Sequence, residues 1–336
     1  MKVLIGDIGG TKTILRLVEI NKNNHYETIK QIKYSSQEYQ TFSYMVEKFL
    51  DGFAIDKICI AIAGPINNNS CKLTNLNWHI KGDKLAQKFH CQEAYLLNDF
   101  AAVSYGIINL KESELFTLQE GEKNNNSPIA VIGAGTGLGQ SFLIPEKNKY
   151  RVFATEGGHS DFSPKNELEW QLLKYLKNKF GWERISAERV ISGQGIVAIY
   201  QFLRDTKFAP ESEEISSQIK QWEQGDNTID PGEIIGQSAL TKSDILTTQT
   251  MTMFLDAYAG EIGNFALKIL PYGGIYIAGG IITKILPLVQ DSDFVNTFLH
   301  KGRMKPLLEK MPLKVVTNTE VALQGLLYYE SIALSI

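Results

Sequence analysis

Residues able to do chemistry gather in a few short stretches of this chain. Two of them are glycine loops, Gly6-Asp7-Ile8-Gly9-Gly10-Thr11 and Gly133-Ala134-Gly135-Thr136-Gly137-Leu138-Gly139. Glycine lets backbone N–H groups come close to an anion and point at it, so both are candidate phosphate cradles. Neither is of a common kind. A dinucleotide fingerprint would need glycine where Leu138 stands, and no loop ends in the Gly-Lys-Ser/Thr of a nucleotide P-loop. The plainer alternative for each is a tight turn. Asp7 would repel a bare phosphate but could hold the Mg²⁺ that accompanies a nucleotide, often through water. As an ordinary turn residue it would bond its own backbone instead.

Three further stretches bring carboxylates, an amide and an imidazole. Asn98-Asp99 closes one apparent strand and opens a helix, a position suited to an N-cap. It is also where α/β proteins place ligands, at a strand's carboxyl end, and there a carboxylate could accept the proton of an attacking hydroxyl. Glu156-Gly157-Gly158-His159 puts an acid and an imidazole on a glycine-rich turn, a set suited to fixing several sugar hydroxyls; a surface turn is the alternative. Glu188 follows Ser186, an N-cap by type, so alone it reads as a first-turn acid favoured by the helix dipole. The histidines at 25, 79, 90 and 300 form no metal-binding pair.

These stretches need a scaffold, and apolar periodicity outlines one. Val3 to Ile5, the glycine loop and the alternating Ile14 to Val18 make a strand–turn–strand hairpin. Asn21 to Asn24 reads as the next turn, with a third strand around Thr28 to Tyr34. Thr41 to Leu50 has helical spacing, Ile58 to Ala63 and Ala94 to Leu97 read as buried strands, and Phe100 to Ile107 as helix. After a polar loop over Glu120 to Ser127, the hairpin returns. Ile129 to Ile132 and Ser141 to Ile144 flank the second glycine loop, whose Thr136 lies 125 positions after Thr11. Two copies of one hairpin suggest one per domain. Beyond it, the spacing predicts helices over Glu167 to Phe180, most of Ala187 to Leu203 with a break at Ser192 to Gly195, and Met251 to Leu270. Ile275 to Ala278 and Leu313 to Thr317 read as strands. Gly279-Gly280 opens another helix, and a last helix starts near Glu320. Pro210 to Gln237 is a polar insertion with no assignable motif.

Composition sets the outer limits. A chain of 336 residues, 43% hydrophobic and 21% charged, is an ordinary globular protein of about two domains. A net charge of -3 argues against nucleic acid as a main partner. Three cysteines (Cys59, Cys71 and Cys91) without a Cys-x-x-Cys pair argue against a disulfide framework or thiolate zinc site and fit a reducing cytoplasm. No segment has the length of apolar sequence that spans a bilayer, and the N-terminus is too short in apolar residues for a signal peptide.

Taken in order, Gly6 to Thr11, Leu97-Asn98-Asp99-Phe100, Gly133 to Gly139, Glu156 to His159, Ser186-Ala187-Glu188-Arg189 and Ala278-Gly279-Gly280 resemble the bacterial ATP-dependent glucokinases over essentially the whole chain. The resemblance implies an α/β, two-domain actin-like ATPase (ribonuclease-H-like) fold of the hexokinase branch. It would have mixed sheets, flanking helices and an interdomain cleft, with residues 1–109 plus 316–336 as the small domain and 110–315 as the large one. It implies phosphoryl transfer from ATP to the 6-hydroxyl of glucose, with Asp99 as general base. Asn98, Glu156, His159 and Glu188 would hold the other hydroxyls. Gly9, Gly10, Thr11, Gly135, Thr136 and Gly137 would hold ATP phosphates, Asp7 would stand near Mg²⁺, and Ala278-Gly279-Gly280 would lie against the adenosine. A homodimer is common in similar proteins, though no interface is legible here.

Two departures stand out. Hexokinase-like hairpins often carry Arg three residues after the loop Thr; Ile14 occupies that place, flanked by Lys12 and Arg16. Sugar kinases that share Glu-Gly-Gly-His with a following cysteine-rich zinc motif differ from this chain, which has no cysteine beyond Cys91, so zinc is not expected. The competing readings are a kinase for fructose, an N-acetylhexosamine or another hexose, and a non-catalytic sugar- or nucleotide-sensing protein of the same fold. A sugar-responsive DNA-binding regulator would need a helix-turn-helix domain before the first hairpin, where only five residues precede Gly6.

Overall fold

The computed structural model describes residues 1–21, 25–73, 76–147 and 149–333. Of the turn expected at Asn21 to Asn24 only Asn21 falls within them. Residues 1–114, 152–154 and 318–336 form one compact unit, and 115–151 with 155–317 form another.

The first unit holds β1 (Lys2–Ile8), β2 (Lys12–Ile20), β3 (Tyr26–Ser35), α1 (Phe42–Leu50), β4 (Lys57–Ile62), β5 (Ser70–Leu73), β6 (Trp78–Lys81), α2 (Gly82–Phe89), β7 (Glu93–Asn98) and α3 (Asp99–Ile107). Its five-stranded sheet has the order β3-β2-β1-β4-β7, while β5 and β6 form a separate antiparallel ribbon. β1 pairs antiparallel with β2 and parallel with β4, and β4 runs parallel to β7. The period-2 alternation of strand side chains divides the core between the sheet's two faces. Leu4, Ile8, Ile58, Ile60 and Ile62 turn toward Phe42, Met45, Val46 and Phe49 of α1. Val3, Ile5, Cys59 and Ala61 turn to the other face.

The second unit contains β8 (Leu115–Gln119), β9 (Ile129–Ala134), β10 (Leu138–Glu146), β11 (Lys149–Thr155, apart from the 152–154 stretch assigned to the first unit), α4 (Glu167–Phe180), α5 (Gly193–Asp205), α6 (Glu213–Glu223), α7 (Pro231–Leu240), α8 (Ile245–Ile269), β12 (Gly274–Ala278), α9 (Gly280–Lys284), the short α10 (Leu286–Gln290), α11 (Phe294–Leu299) and α12 (Lys305–Leu308), and β13 (Leu313–Val316). Its sheet has the order β11-β10-β9-β12-β13-β8. Apart from β8, this repeats the first sheet strand for strand: an antiparallel hairpin, then a parallel strand beside its first member. The two glycine loops occupy the same place in both copies. α8 runs through the core of this unit, with Phe254, Tyr258 and Ile262 fully buried.

The chain then returns to the first unit as α13 (Val321–Ala333), whose Leu323, Leu326 and Leu327 cover Val3, Ile5 and Ala61. α13 and α3 meet through two glycines. A Cβ on Gly325 would stand 1.8 Å from the Ala102 carbonyl oxygen, and one on Gly106 would stand 2.1 Å from that of Val321. Their absence lets the helix backbones touch, and this fixes the direction in which α3 presents its first residue, Asp99. Two helix expectations shift. The region after Ser186 holds only a 3₁₀ turn, Ala187–Arg189, before α5 starts at Gly193, whose cap Ser192 accepts from the Gly195 N–H at 3.1 Å. α8 starts six residues earlier than its apolar pattern, because Asp244 caps it by accepting from Thr247 N–H at 2.7 Å.

Candidate active site

In the first unit, the Ile8–Thr13 pair closes the loop Gly9 to Lys12, with the Gly9 N–H donating to the Lys12 carbonyl at 2.9 Å. The loop is braced from below by Ser36, which sequence reasoning missed. Its hydroxyl donates to the Gly9 carbonyl and its N–H to that of Thr11, both at 2.9 Å, and Thr13 lies 2.9 Å from the same hydroxyl. Ser36 and Thr13 are fully buried. Nothing local in the sequence marks Ser36; its role comes from where β3 ends. Arg16 is also buried and is committed to Gln31 and Glu320, the latter at 2.6 Å. It therefore cannot supply charge to a phosphate at the loop. Lys12 is exposed at the loop's end and has no partner among the described residues, which leaves it as the available cation.

Asp7 lies one pair below the loop, opposite Ile14. Burial pushes its carboxyl up to about 6, and no described residue donates to it or pairs with it. A desolvated, unpartnered carboxylate is costly unless a counter-charge is supplied, so the residue fits a cation. Among the described residues, no three His, Cys, Asp or Glu side chains gather in a group that could cage a metal. Mg²⁺ typically takes one or two carboxylates and completes its shell with water and phosphate oxygens, so the Asp7 carboxylate is of the type that could serve it.

Asn98 is the N-cap of α3. Its Oδ1 accepts from the Phe100 and Ala101 N–H groups at 3.0 and 3.1 Å, and its Nδ2 donates to the Gly64 carbonyl at 3.2 Å. The cap uses both lone pairs and one of two amide hydrogens, so one hydrogen remains for a ligand. Capping and binding are thus compatible here. Asp99 follows at the first helical position, and its Oδ1 accepts from the Phe100 N–H at 2.9 Å. Its negative charge reaches Cys71, whose thiol is pushed up by burial first and by Asp99 second.

In the second unit, the structure brings Glu156, His159 and Glu188 together. Gly157–His159 is a 3₁₀ turn. The Ala187 N–H donates to the Ser160 carbonyl at 2.8 Å, drawing the segment that carries Glu188 alongside the turn. Arg184 fastens the same junction through the His159 carbonyl and Asp161 at 2.8 and 2.9 Å. His159 Nε2 stands 3.8 Å from Glu156, and Nδ1 stands 3.9 Å from Glu188. These gaps are too long for hydrogen bonds, so all three groups keep capacity for a polyhydroxyl ligand. Glu188 Oε2 accepts from the Leu138 N–H, just after the second glycine loop, at 3.0 Å. A Cβ on Gly137 would lie 2.4 Å from that oxygen, and one on Gly158 would lie 2.0 Å from the Leu138 carbonyl oxygen. The acidic cluster and the glycine loop therefore form one mechanical piece. Glu188 reads locally as a first-turn acid, and only the fold reveals this placement.

The second loop is one residue shorter than the first: the Ala134–Leu138 pair closes Gly135 to Gly137, with the Gly135 N–H donating to the Gly137 carbonyl at 2.8 Å. Ala278 pairs with Gly133 in the neighbouring strand. Gly279, at φ +102°, approaches Ala134 so closely that a Cβ would stand 2.7 Å from its carbonyl oxygen. Beside Gly135 and Thr136 opens a cavity of about 190 Å³ with apolar walls that include Ile196, Leu240, Met251 and Ile281. Its rim carries the Lys284–Glu233 ion pair at 2.7 Å. Whole-ligand pockets run to roughly 300–1,000 Å³, so this one suits a single apolar part of a ligand. α7, from the segment without a motif, forms one wall. Its Asp230 cap and Pro231 at the first position signal a helix start, but nothing local places it at the loop.

The chain is similar to known proteins along nearly its whole length. The family profile described as glucokinase matches residues 4–331. Glucokinases of Trichormus variabilis and of a Nostoc species are each 53% identical over 331 residues, covering 96% of this chain and 97% of theirs. The crystal structure of a glucokinase from an Antarctic psychrotroph superimposes with a TM-score of 0.77 at 26% identity, covering 98% of both chains.

Proposed function

The chain belongs to the glucokinase family, with the actin-like ATPase fold, and on that premise we propose how its residues carry out the phosphorylation of glucose by ATP. The observation that carries the reading is the gathering of Glu156, His159 and Glu188 against the second glycine loop. Three acceptor or donor groups with unused capacity fix sugar hydroxyls, and Asn98 adds its remaining amide hydrogen. Asp99, at the head of α3, takes the proton of the glucose 6-hydroxyl as that oxygen attacks the γ-phosphorus of ATP, giving glucose 6-phosphate and ADP. A positioned general base contributes typically ~10²–10⁴-fold. Backbone N–H groups of the two loops, around Gly9 to Thr11 and Gly135 to Gly137, hold the phosphates, and Lys12 adds the cationic side chain that Arg16 cannot. Asp7 would hold Mg²⁺ through water, and the ion supplies charge neutralisation at the phosphates. Gly279 and Gly280 allow the adenosine to lie against β12, its base entering the cavity beside α7.

The test is ADP release measured with glucose, mannose, fructose and N-acetylglucosamine, and without sugar. Release that depends on glucose and is highest with it supports the reading. Equal release with and without sugar would overturn it, and preference for another hexose would overturn the assignment of substrate.

A further inference from the structure

Gln140 breaks the pattern of its strand. Along β10 it shares a face with Leu138 and Phe142, both packed into the apolar core, yet it carries an amide and is only 2% exposed. A polar residue at a core position marks either a fault or a function. Here every link is made. Thr155 Oγ1 donates to the backbone carbonyl of Gln140 at 3.0 Å and accepts from the Gly157 N–H at 3.1 Å. Gln140 Nε2 donates to Glu261 Oε1 at 3.0 Å, and Glu261 Oε2 accepts from Asn264 at 3.2 Å. Lys301 closes the chain on Asn264 Oδ1 at 2.6 Å and the Gly260 carbonyl at 2.9 Å. Gly157 lies so near the Gln140 amide oxygen that a Cβ would stand 2.2 Å from it. The 3₁₀ turn bearing Glu156 and His159 is thereby anchored, through buried and half-buried polar groups, to α8 in the centre of the unit.

We propose that Thr155 and Gln140 are positioning residues for the sugar site: they touch no substrate, and they set where Glu156 and His159 stand. The inference rests on the reading that those two residues hold the sugar. An apolar residue at 140 would leave the β9–β10 backbone ladder intact. What it would release is the turn.

Thr155→Val keeps the shape of the side chain, removes the hydroxyl and leaves the Gly157 N–H unpaired. Its KM for glucose should rise about tenfold or more, with kcat and the KM for ATP within about threefold of the parent. Thr155→Ser, which keeps the hydroxyl, should restore the parental glucose KM. If Thr155→Val does not fold, Gln140→Met tests the other link, from Gln140 Nε2 to Glu261, with side-chain length retained and the same rise in glucose KM expected. A purely structural role would lower kcat through loss of folded enzyme and leave both KM values alone, and that result would overturn the proposal. Glu156→Gln separates the two levels of the argument. If it raises the glucose KM while Thr155→Val does not, the positioning role falls and the sugar site stands; if neither raises it, both fall.

Discussion

Gly137→Ala is an informative perturbation, because it alters a loop proposed to hold phosphate yet should be felt at the proposed sugar site. Gly137 is not among the residues held at positive φ, so alanine meets no backbone strain there. The added methyl would instead stand 2.4 Å from Glu188 Oε2, well inside van der Waals contact, and the carboxylate must move. Moving it breaks the 3.0 Å hydrogen bond from the Leu138 N–H and carries the other oxygen away from His159. A hydrogen bond to a charged group is worth about 1.5–3 kcal/mol, so the glucose KM should rise about 10- to 150-fold. Gly135→Ala is the matched control: a Cβ there meets nothing within 4 Å, and its methyl would enter the space assigned to the phosphates. That variant should raise the KM for ATP and leave glucose nearly untouched. Steady-state kinetics with each substrate varied in turn reads both effects. Should Gly137→Ala leave the glucose KM within about twofold, or should the two variants behave alike, the link between Glu188 and the loop carries no binding energy and the reasoning fails.

Asp99→Asn keeps an acceptor for the Phe100 N–H and should leave glucose binding intact while lowering kcat by ~10²-fold or more; turnover within a few-fold of the parent would remove Asp99 from the base role. Lys12→Ala should raise the KM for ATP without changing urea stability. Arg16→Gln should do the reverse, lowering the urea midpoint through loss of the 2.6 Å Glu320 pair with little change in KM. Glu330 is fully buried, its oxygens have no hydrogen-bond partner, and the Lys57 ammonium stands 3.8 Å away. Burial, only partly offset by Lys57, pushes its carboxyl up. The folded state therefore holds that proton more tightly than the unfolded chain does, and stability is lost as pH rises through the raised value. Glu330→Gln should be more stable than the parent at pH near 7.5 by about 1–3 kcal/mol, with the difference vanishing below the ordinary glutamate range.

The hairpins, the buried strands and the amphipathic helices were legible because each is written in a local period. Glu167 to Phe180, with Leu172 and Leu176 on one face, coincides with α4 from end to end. The short ribbon of β5 and β6, the helix α2 and the strand β11 carried no such signal, since they depend on what they pack against. Ser70–Leu73 has only four residues, and β11 is half exposed along its length. At the site, residue types and order pointed to Asp7, Asp99, Glu156, His159 and Glu188. What stayed hidden was mechanical support: Ser36 beneath the first loop, α7 beside the second, and the Leu138 backbone between Glu188 and Gly158. Each lies far in sequence from the group it serves and is of an ordinary residue type.

The return of α13 also bears on how the protein comes into being. α3, with Asp99 at its head, leans on α13 through Gly106 and Gly325, and roughly 200 residues separate the two in the order of synthesis. At about 5–20 residues per second, some 10–40 s pass on the ribosome between them. During that interval Val3, Ile5 and Ala61 lack the cover of Leu323, Leu326 and Leu327. A chain without Val321–Ala333 would still hold both glycine hairpins and the second unit, but not the helix on which α3, with Asp99 at its head, leans. The placement of Asp99 would thus wait on the synthesis of α13.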